Sequence, residues 1–411
     1  MRSFARALSL GLALSCASAP IEVAPDPRPA YVNPHAQDAI GTVRQMYDGA
    51  LTPALAVTTF RNIDRLFPTR TVARGATPHP LLAGKPFGNV DFMSRGARYS
   101  LDDYLRLNRV GGLLVLKHGR VVLERYAYGN GPRTRWMSMS IAKSITSTLV
   151  GVAIRDGAIG SLDDAVTKYV PRLAGTSYDG VTVRHLLMMA SGVRWNETYT
   201  DSASDRRRLL EAQIAQRPGA IIDVMRSRAR AAGPGSVHNY STGDTQIAGE
   251  VVRGAVGMPL AQYLSEKIWG PYGMESDASW WLDSPDGHEI GGSGLSATLR
   301  DYGRFGLFFL DGGVVEGVSI LPAGWTTLAS TPKTLADGTL VNYGYMWWPS
   351  DAPLNTENHG TFSAVGIFGQ AIYINPREQV VIVQWSAQTI PTDGEVVKSE
   401  DFFAAVAAAL R

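Results

Sequence analysis

The hydrophobic pattern is clearest from Gly112 onward. Gly112–Lys117 and Val121–Tyr126 are short apolar runs separated by His118-Gly119, the pattern of two strands joined by a tight turn, so a β-hairpin is expected there. Next, Ile141, Ile145, Leu149 and Val152 recur at helical spacing through Ile154, with mostly small residues between them. A helix of apolar residues with mostly small ones between them is expected to be buried nearly all round. Further helical patterns cover Val183–Ala190, Asp205–Gln216, Thr245–Val256, Leu260–Ile268 and Glu400–Leu410, whereas Tyr343–Trp348, Gln370–Ile374 and Val380–Trp385 read as strands. Strands at both ends around a helical middle predict an α/β (α+β) domain whose sheet is built from both chain ends, with an all-α part at roughly 160–285. Residues 20–95 carry many prolines and glycines among short apolar pieces, and an irregular extension wrapped on the 96–411 domain is expected.

Candidate chemistry starts from the lysines. Of seven, only Lys143 and Lys333 have a serine three residues upstream, Ser140 and Ser330, and Pro332 argues against a helix in the second case. Ser140 stands at the N-terminus of the apolar helix with Lys143 one turn on, on the same face. A serine hydroxyl needs a base to become a nucleophile, and a lysine desolvated among Ile141, Ala142 and Ile145 would have its pKa lowered enough to be one. The helix N-terminus adds backbone donors for an oxyanion. Taken alone, the same residues also read as an N-capping serine followed by a surface lysine.

Two later segments weigh against that plainer reading. His238-Asn239-Tyr240-Ser241-Thr242-Gly243-Asp244 follows a Gly233-Pro234-Gly235 turn and precedes a helix, and His359-Gly360-Thr361-Phe362-Ser363-Ala364-Val365-Gly366-Ile367-Phe368-Gly369-Gln370 leads into a strand. In this order the three segments resemble the serine β-lactamase and penicillin-binding-protein superfamily. The closer likeness is to its class C-like esterase and 6-aminohexanoate-dimer hydrolase branch. Ser161-Leu162-Asp163-Asp164, His185-Leu186-Leu187-Met188-Met189-Ala190-Ser191-Gly192 and Leu295-Ser296-Ala297-Thr298-Leu299-Arg300-Asp301-Tyr302-Gly303 support it, and the likeness covers about residues 96–411.

The resemblance implies a β-lactamase-like fold with an antiparallel sheet flanked by helices, and a cofactor-free serine hydrolase acting on a small ester or amide. It implies Ser140 as the acylated nucleophile, Lys143 as its base or base-tuner, and Tyr240 as a phenolate-type proton shuttle. A tyrosine titrates near pH 10, so that role requires a neighbouring cation, which Lys143 would supply. On its own Tyr240 also reads as a packed aromatic with a satisfied hydroxyl. The oxyanion would be held by the backbone of Ser140 and Ile367, beside Gly366. Trp195 and Tyr199 would line the acyl pocket, although core packing is an equal reading for Trp195. Trp280-Trp281 and Trp347-Trp348 read as core or rim.

The chain departs from the β-lactam-binding pattern at two places. Thr242 stands where those members commonly show asparagine, and Ala364 where they show lysine or histidine before Thr-Gly. The cation that would hold a substrate carboxylate is therefore missing, and β-lactam turnover is put in doubt. His359, on the preceding loop, either approaches the pocket or is a solvent-exposed loop histidine. A β-lactamase or D-alanyl-D-alanine carboxypeptidase remains an alternative, as does a non-catalytic penicillin-recognising or structural pseudoenzyme.

Composition narrows the partners. Thirty-nine basic and 37 acidic residues nearly cancel, without basic runs, which disfavours nucleic acid and anionic membrane. No H-E-x-x-H, G-x-S-x-G or P-loop is present, so no metal is expected, nor an α/β-hydrolase or nucleotide site. Residues 1–19 have Arg2 and Arg6, an apolar Leu8–Leu14 stretch and a closing Ala17-Ser18-Ala19, which resembles a secretory signal peptide. Export to the periplasm or medium is expected, with lipidation at Cys16 or a non-exported start as competing readings. No stretch is apolar enough to span a membrane, and the oligomeric state is left open.

Overall fold

The computed structural model describes residues 29–352, 356 and 358–411. The expected signal peptide and Cys16 lie outside the described residues. A six-stranded antiparallel sheet runs in the order Trp348–Pro349, Phe362–Gly366, Gln370–Asn375, Val380–Ser386, Val110–Lys117, Arg120–Tyr126. Both ends of the chain thus build one sheet, because the hairpin strand Val110–Lys117 pairs with Val380–Ser386, Leu114 opposite Val383. The period of two divides the strand between two cores. Leu114 and Leu116 face the main core, while Leu113 and Val115 face a smaller one shared with Tyr104, Phe402 and Phe403. Helix Leu299–Leu310 seats on the first face because Gly303 and Gly306 carry no Cβ, which would stand 2.6 Å from Leu114 and 2.5 Å from Val381.

A second, four-stranded sheet, in the order Thr69–Val72, Ala278–Trp281, Leu295–Thr298, Arg135–Met137, draws two strands from before the helical part and two from after it. It corrects two expectations. Residues 20–95 are not irregular where described: Val43–Tyr47 and Pro53–Phe60 are helices, Thr69–Val72 is a sheet strand, and Val43, Phe60 and Phe67 enter the main core. The all-α part ends before 285, because Ala278–Trp281 is a strand of that sheet. A third expectation fails at Tyr343–Trp348. Only Trp348–Pro349 pairs, because Gly344 packs on the backbone of Ala329 and Met346 has φ 61°, which breaks an extended run.

Helix Ile141–Arg155 is buried at 13 of its 15 positions, as its apolar and small residues predict. It lies between the strand Phe362–Gly366 and helix Thr242–Val256, so the three motifs meet at its N-terminal end.

Candidate active site

Strand Arg135–Met137 delivers the chain to the N-terminus of this helix. The Ser138 N–H donates to Leu295 O at 2.7 Å, and Met139, with φ 42°, turns the backbone sharply through the left-handed region. Ser140 is then already helical, at φ −71° and ψ −3°, and its side chain makes no capping bond. The capping-serine reading therefore does not describe this residue. Its Oγ lies 2.9 Å from Nζ of Lys143, which also donates to Gly292 O at 3.0 Å. Lys143 is 2% exposed, so it is no surface lysine. Burial pushes its pKa down to about 7; the Glu197 charge opposes that shift and the Arg206 charge adds to it.

Tyr240 enters from the loop before helix Thr242–Val256. Its ring stacks on Trp348, centroids 5.4 Å apart, and meets Tyr343 edge-on at 6.0 Å. Lys143 Nζ stands 5.3 Å from the ring centroid. Burial, and then the Glu197 charge, push the Tyr240 hydroxyl well above its usual pH 10, against a hydrogen bond with Ser140 and the Arg206 charge. Desolvation therefore acts against the phenolate form of Tyr240 and in favour of a neutral Lys143.

Gly366 ends the edge strand beside the nucleophile. A Cβ there would stand 2.5 Å from Ser138 O and 3.1 Å from Ser140 N, so only glycine allows this approach. Ile367 follows at once, in the turn to Gln370–Asn375. Among the described residues neither the Ser140 nor the Ile367 N–H donates to an acceptor. Two unengaged donors flanking a nucleophile are the parts an oxyanion hole needs. Ala364 is fully buried and apolar.

The other expected residues divide. Thr242 is 2% exposed; its N–H and hydroxyl donate to Glu197 at 2.9 and 2.5 Å. Trp195 is a core residue, packed where a Cβ on Gly243 would stand 2.8 Å away, and its indole N–H donates to Glu197. Tyr199 is half-buried, and its hydroxyl is pushed far up by burial, Glu197 and Tyr240. His359 is not brought to the site. It is exposed, with Nδ1 3.4 Å from Ala352 O, and it borders a cavity of about 750 Å³ that Ser140, Lys143 and Tyr240 do not line.

Sequence reasoning missed Glu197, Gly292, Trp348 and Arg206 as parts of this site. Glu197 left one signal, an acid between the aromatics Trp195 and Tyr199. Gly292 left none, since it contributes a backbone carbonyl.

Comparison with known proteins identifies the family and the fold. A beta-lactamase family model matches residues 102–405. The 6-aminohexanoate-dimer hydrolase of Paenarthrobacter ureafaciens is 29% identical over 346 residues, covering 81% of this chain and 85% of that protein. The solved structure "Putative 6-aminohexanoate-dimer hydrolase from Bacillus anthracis" superposes with a TM-score of 0.71 at 24% identity, covering 85% of this chain and 91% of that one. A family VIII carboxylesterase superposes at 0.57 with 18% identity, covering 73% and 92%. At these identities the two structures speak for the fold alone. The family model spans most of the chain, and the chain belongs to the beta-lactamase family of serine hydrolases.

Proposed function

We propose that this chain hydrolyses a small ester or amide through an acyl-enzyme on Ser140. The observation that carries the reading is a buried Lys143 amine, 2.9 Å from Ser140 Oγ, that is neutral in part near pH 7. The neutral amine takes the Ser140 proton as Oγ attacks the substrate carbonyl. Negative charge on the carbonyl oxygen is met by the N–H groups of Ser140 and Ile367. Collapse breaks the bond to the leaving alcohol or amine, which takes a proton from the Tyr240 hydroxyl, and Tyr240 is reprotonated by the Lys143 ammonium. Water then attacks the acyl-enzyme, giving up its proton along the same route, and Ser140 Oγ leaves as a hydroxyl.

Ala364 leaves no cation on the edge strand for a β-lactam carboxylate, which favours uncharged esters and linear amides over β-lactams. The names of the relatives, an amide-dimer hydrolase and a carboxylesterase, support the same substrate class. Residues 1–19 support activity outside the cytoplasm. A fluorophosphonate probe should label the wild-type chain and leave Ser140→Ala unlabelled; undiminished labelling of the variant would sink the proposal. On one preparation, p-nitrophenyl esters, 6-aminohexanoate dimer and nitrocefin should rank with nitrocefin last, and fast nitrocefin turnover with inert esters would reverse the ranking.

A further inference from the structure

Two strained residues flank the two oxyanion donors. Met139, at φ 42°, immediately precedes Ser140, and Phe368, at φ 66°, immediately follows Ile367. Neither is a glycine, so each left-handed conformation persists only where its surroundings hold it. An oxyanion donor must also stand within about 2.7–3.1 Å of the oxygen it meets, which leaves little play in the backbone that carries it. Something has to fix the turn Ile367-Phe368-Gly369 against the strand that delivers Ser140.

Gln370 stands where those two supports meet. It closes the turn opposite Gly366, it is 1% exposed, and its amide makes four hydrogen bonds. Oε1 accepts from the Trp136 indole N–H at 2.9 Å and from the Ser386 N–H at 3.1 Å. Nε2 donates to Phe368 O at 3.1 Å and to Ser386 O at 2.7 Å. Four partners complete the amide, and two N–H groups at one end with two carbonyls at the other fix which end is oxygen. Ser386 meets the side chain where its strand bulges, between Trp385 and Ser386, and the ladder is broken. Trp136 lies on the strand Arg135–Met137, four residues ahead of the nucleophile, stacked on Trp385 with centroids 5.6 Å apart. Phe60 touches both sides of the link, 5.9 Å from the Trp136 ring and 5.0 Å from the Phe368 ring. One buried side chain thus ties the strand behind the Ser140 N–H to the turn that bears the Ile367 N–H.

We propose that Gln370 is a positioning residue of the oxyanion hole, its amide setting the separation of the Ser140 and Ile367 N–H groups. This rests on the serine-hydrolase reading above. The competing role is a core brace, in which Gln370 only satisfies buried backbone groups. Gln370→Glu separates the two: a carboxylate keeps the shape and can still accept from Trp136 and Ser386, but it has no N–H to hold Phe368 O.

At pH 8, kcat/KM is measured on p-nitrophenyl acetate and on its thiono counterpart, in which sulfur replaces the carbonyl oxygen. Sulfur is larger and a weaker acceptor, so donors placed for oxygen discriminate against it. The wild-type chain should prefer the oxoester by about 100-fold or more. Gln370→Glu should cut that preference by about tenfold or more, the loss falling on the oxoester. Trp136→Phe deletes one of the four bonds, keeps a ring against Trp385, and decides the matter where Gln370→Glu does not fold; it should narrow the same preference by about threefold or more. Equal losses on the two esters, or an unchanged preference, overturn the proposal. The acylation pH profile should break at the same pH in variant and wild type, because neither substitution touches Lys143. A loosened core would admit water to that amine, so a break that moves up assigns Gln370 to the brace and also overturns the proposal. Hydrolysis that survives Ser140→Ala would instead refute the hydrolase reading itself.

Discussion

The Lys143 amine makes the sharpest demand on experiment. Burial takes it from 10.5 to about 7. At pH 7 an ordinary lysine is neutral in about one molecule in 3,000, and one with a pKa near 7 in about half, so burial raises the reactive population by about 10³-fold, equivalent to about 4 kcal/mol. Acylation measured alone, as the rate of fluorophosphonate labelling or the first-turnover nitrophenol burst, should therefore rise about tenfold per pH unit below 7 and flatten above pH 8. It should stay flat to pH 10, because Tyr240 remains protonated there. Lys143→Arg supplies the control, since a guanidinium stays charged at every accessible pH, and its acylation rate should fall by about 10³-fold. A rate that is level from pH 5 to 8, or that climbs without a break past pH 10, would refute the argument that a buried neutral amine is the base. The same shift acts on stability. Between about 7 and 10.5 the unfolded chain binds a proton at Lys143 that the folded chain does not, so this residue makes stability rise with pH across that window and lowers it fully below pH 7.

Two further perturbations probe the surroundings of the nucleophile. Gly366→Ala would force a methyl group to 2.5 Å from Ser138 O, pushing the Ile367 N–H off its position; kcat/KM on p-nitrophenyl esters should drop by about 100-fold, with a loss of about 1–3 kcal/mol of stability, and an unaltered rate would remove Ile367 from the oxyanion hole. Asp244, buried beneath the Tyr240 loop and accepting from Ser191 Oγ at 2.9 Å, is pushed up to about 7 by that burial. Between 3.8 and about 7 the folded chain holds a proton there that the unfolded chain does not, so stability falls as pH rises through this window. Asp244→Asn should gain about 2–3 kcal/mol relative to wild type between pH 5 and pH 8 in urea titrations, and parallel pH profiles for the two proteins would refute it.

Elements with a strong period were legible in the sequence, and the ones without were not. The hairpin and helix Ile141–Arg155 stand where their apolar spacing places them. Helix Thr242–Val256 starts three residues before its expected Thr245, because the Ser241 side chain accepts from the Asp244 N–H and so caps an earlier turn. Strand Thr69–Val72 is four residues with one buried side chain, and no window of that length distinguishes it from a loop. Its place in a sheet depends on Ala278–Trp281, which lies some 200 residues on.

The site divides along the same line. Ser140, Lys143 and Tyr240 could be named because each sits in a short motif whose spacing survives in one dimension. The lowered pKa of Lys143 was legible from its apolar helix neighbours, whereas the raised pKa of Tyr240 was not, because it comes from neighbours supplied by other parts of the chain. The carbonyl that holds Lys143 belongs to Gly292, 149 residues away, and the aromatic wall over Tyr240 comes from Tyr343 and Trp348. The sequence reading held two demands on Lys143 side by side, a desolvated amine able to act as base and a cation able to draw a proton from Tyr240. Once both are enclosed, desolvation acts in opposite directions on the two groups: it discharges an ammonium and protects a phenol. Enclosure is the largest cause of both shifts, and any relative that keeps both residues but opens this site to solvent should return Lys143 to a charged amine and lose its base.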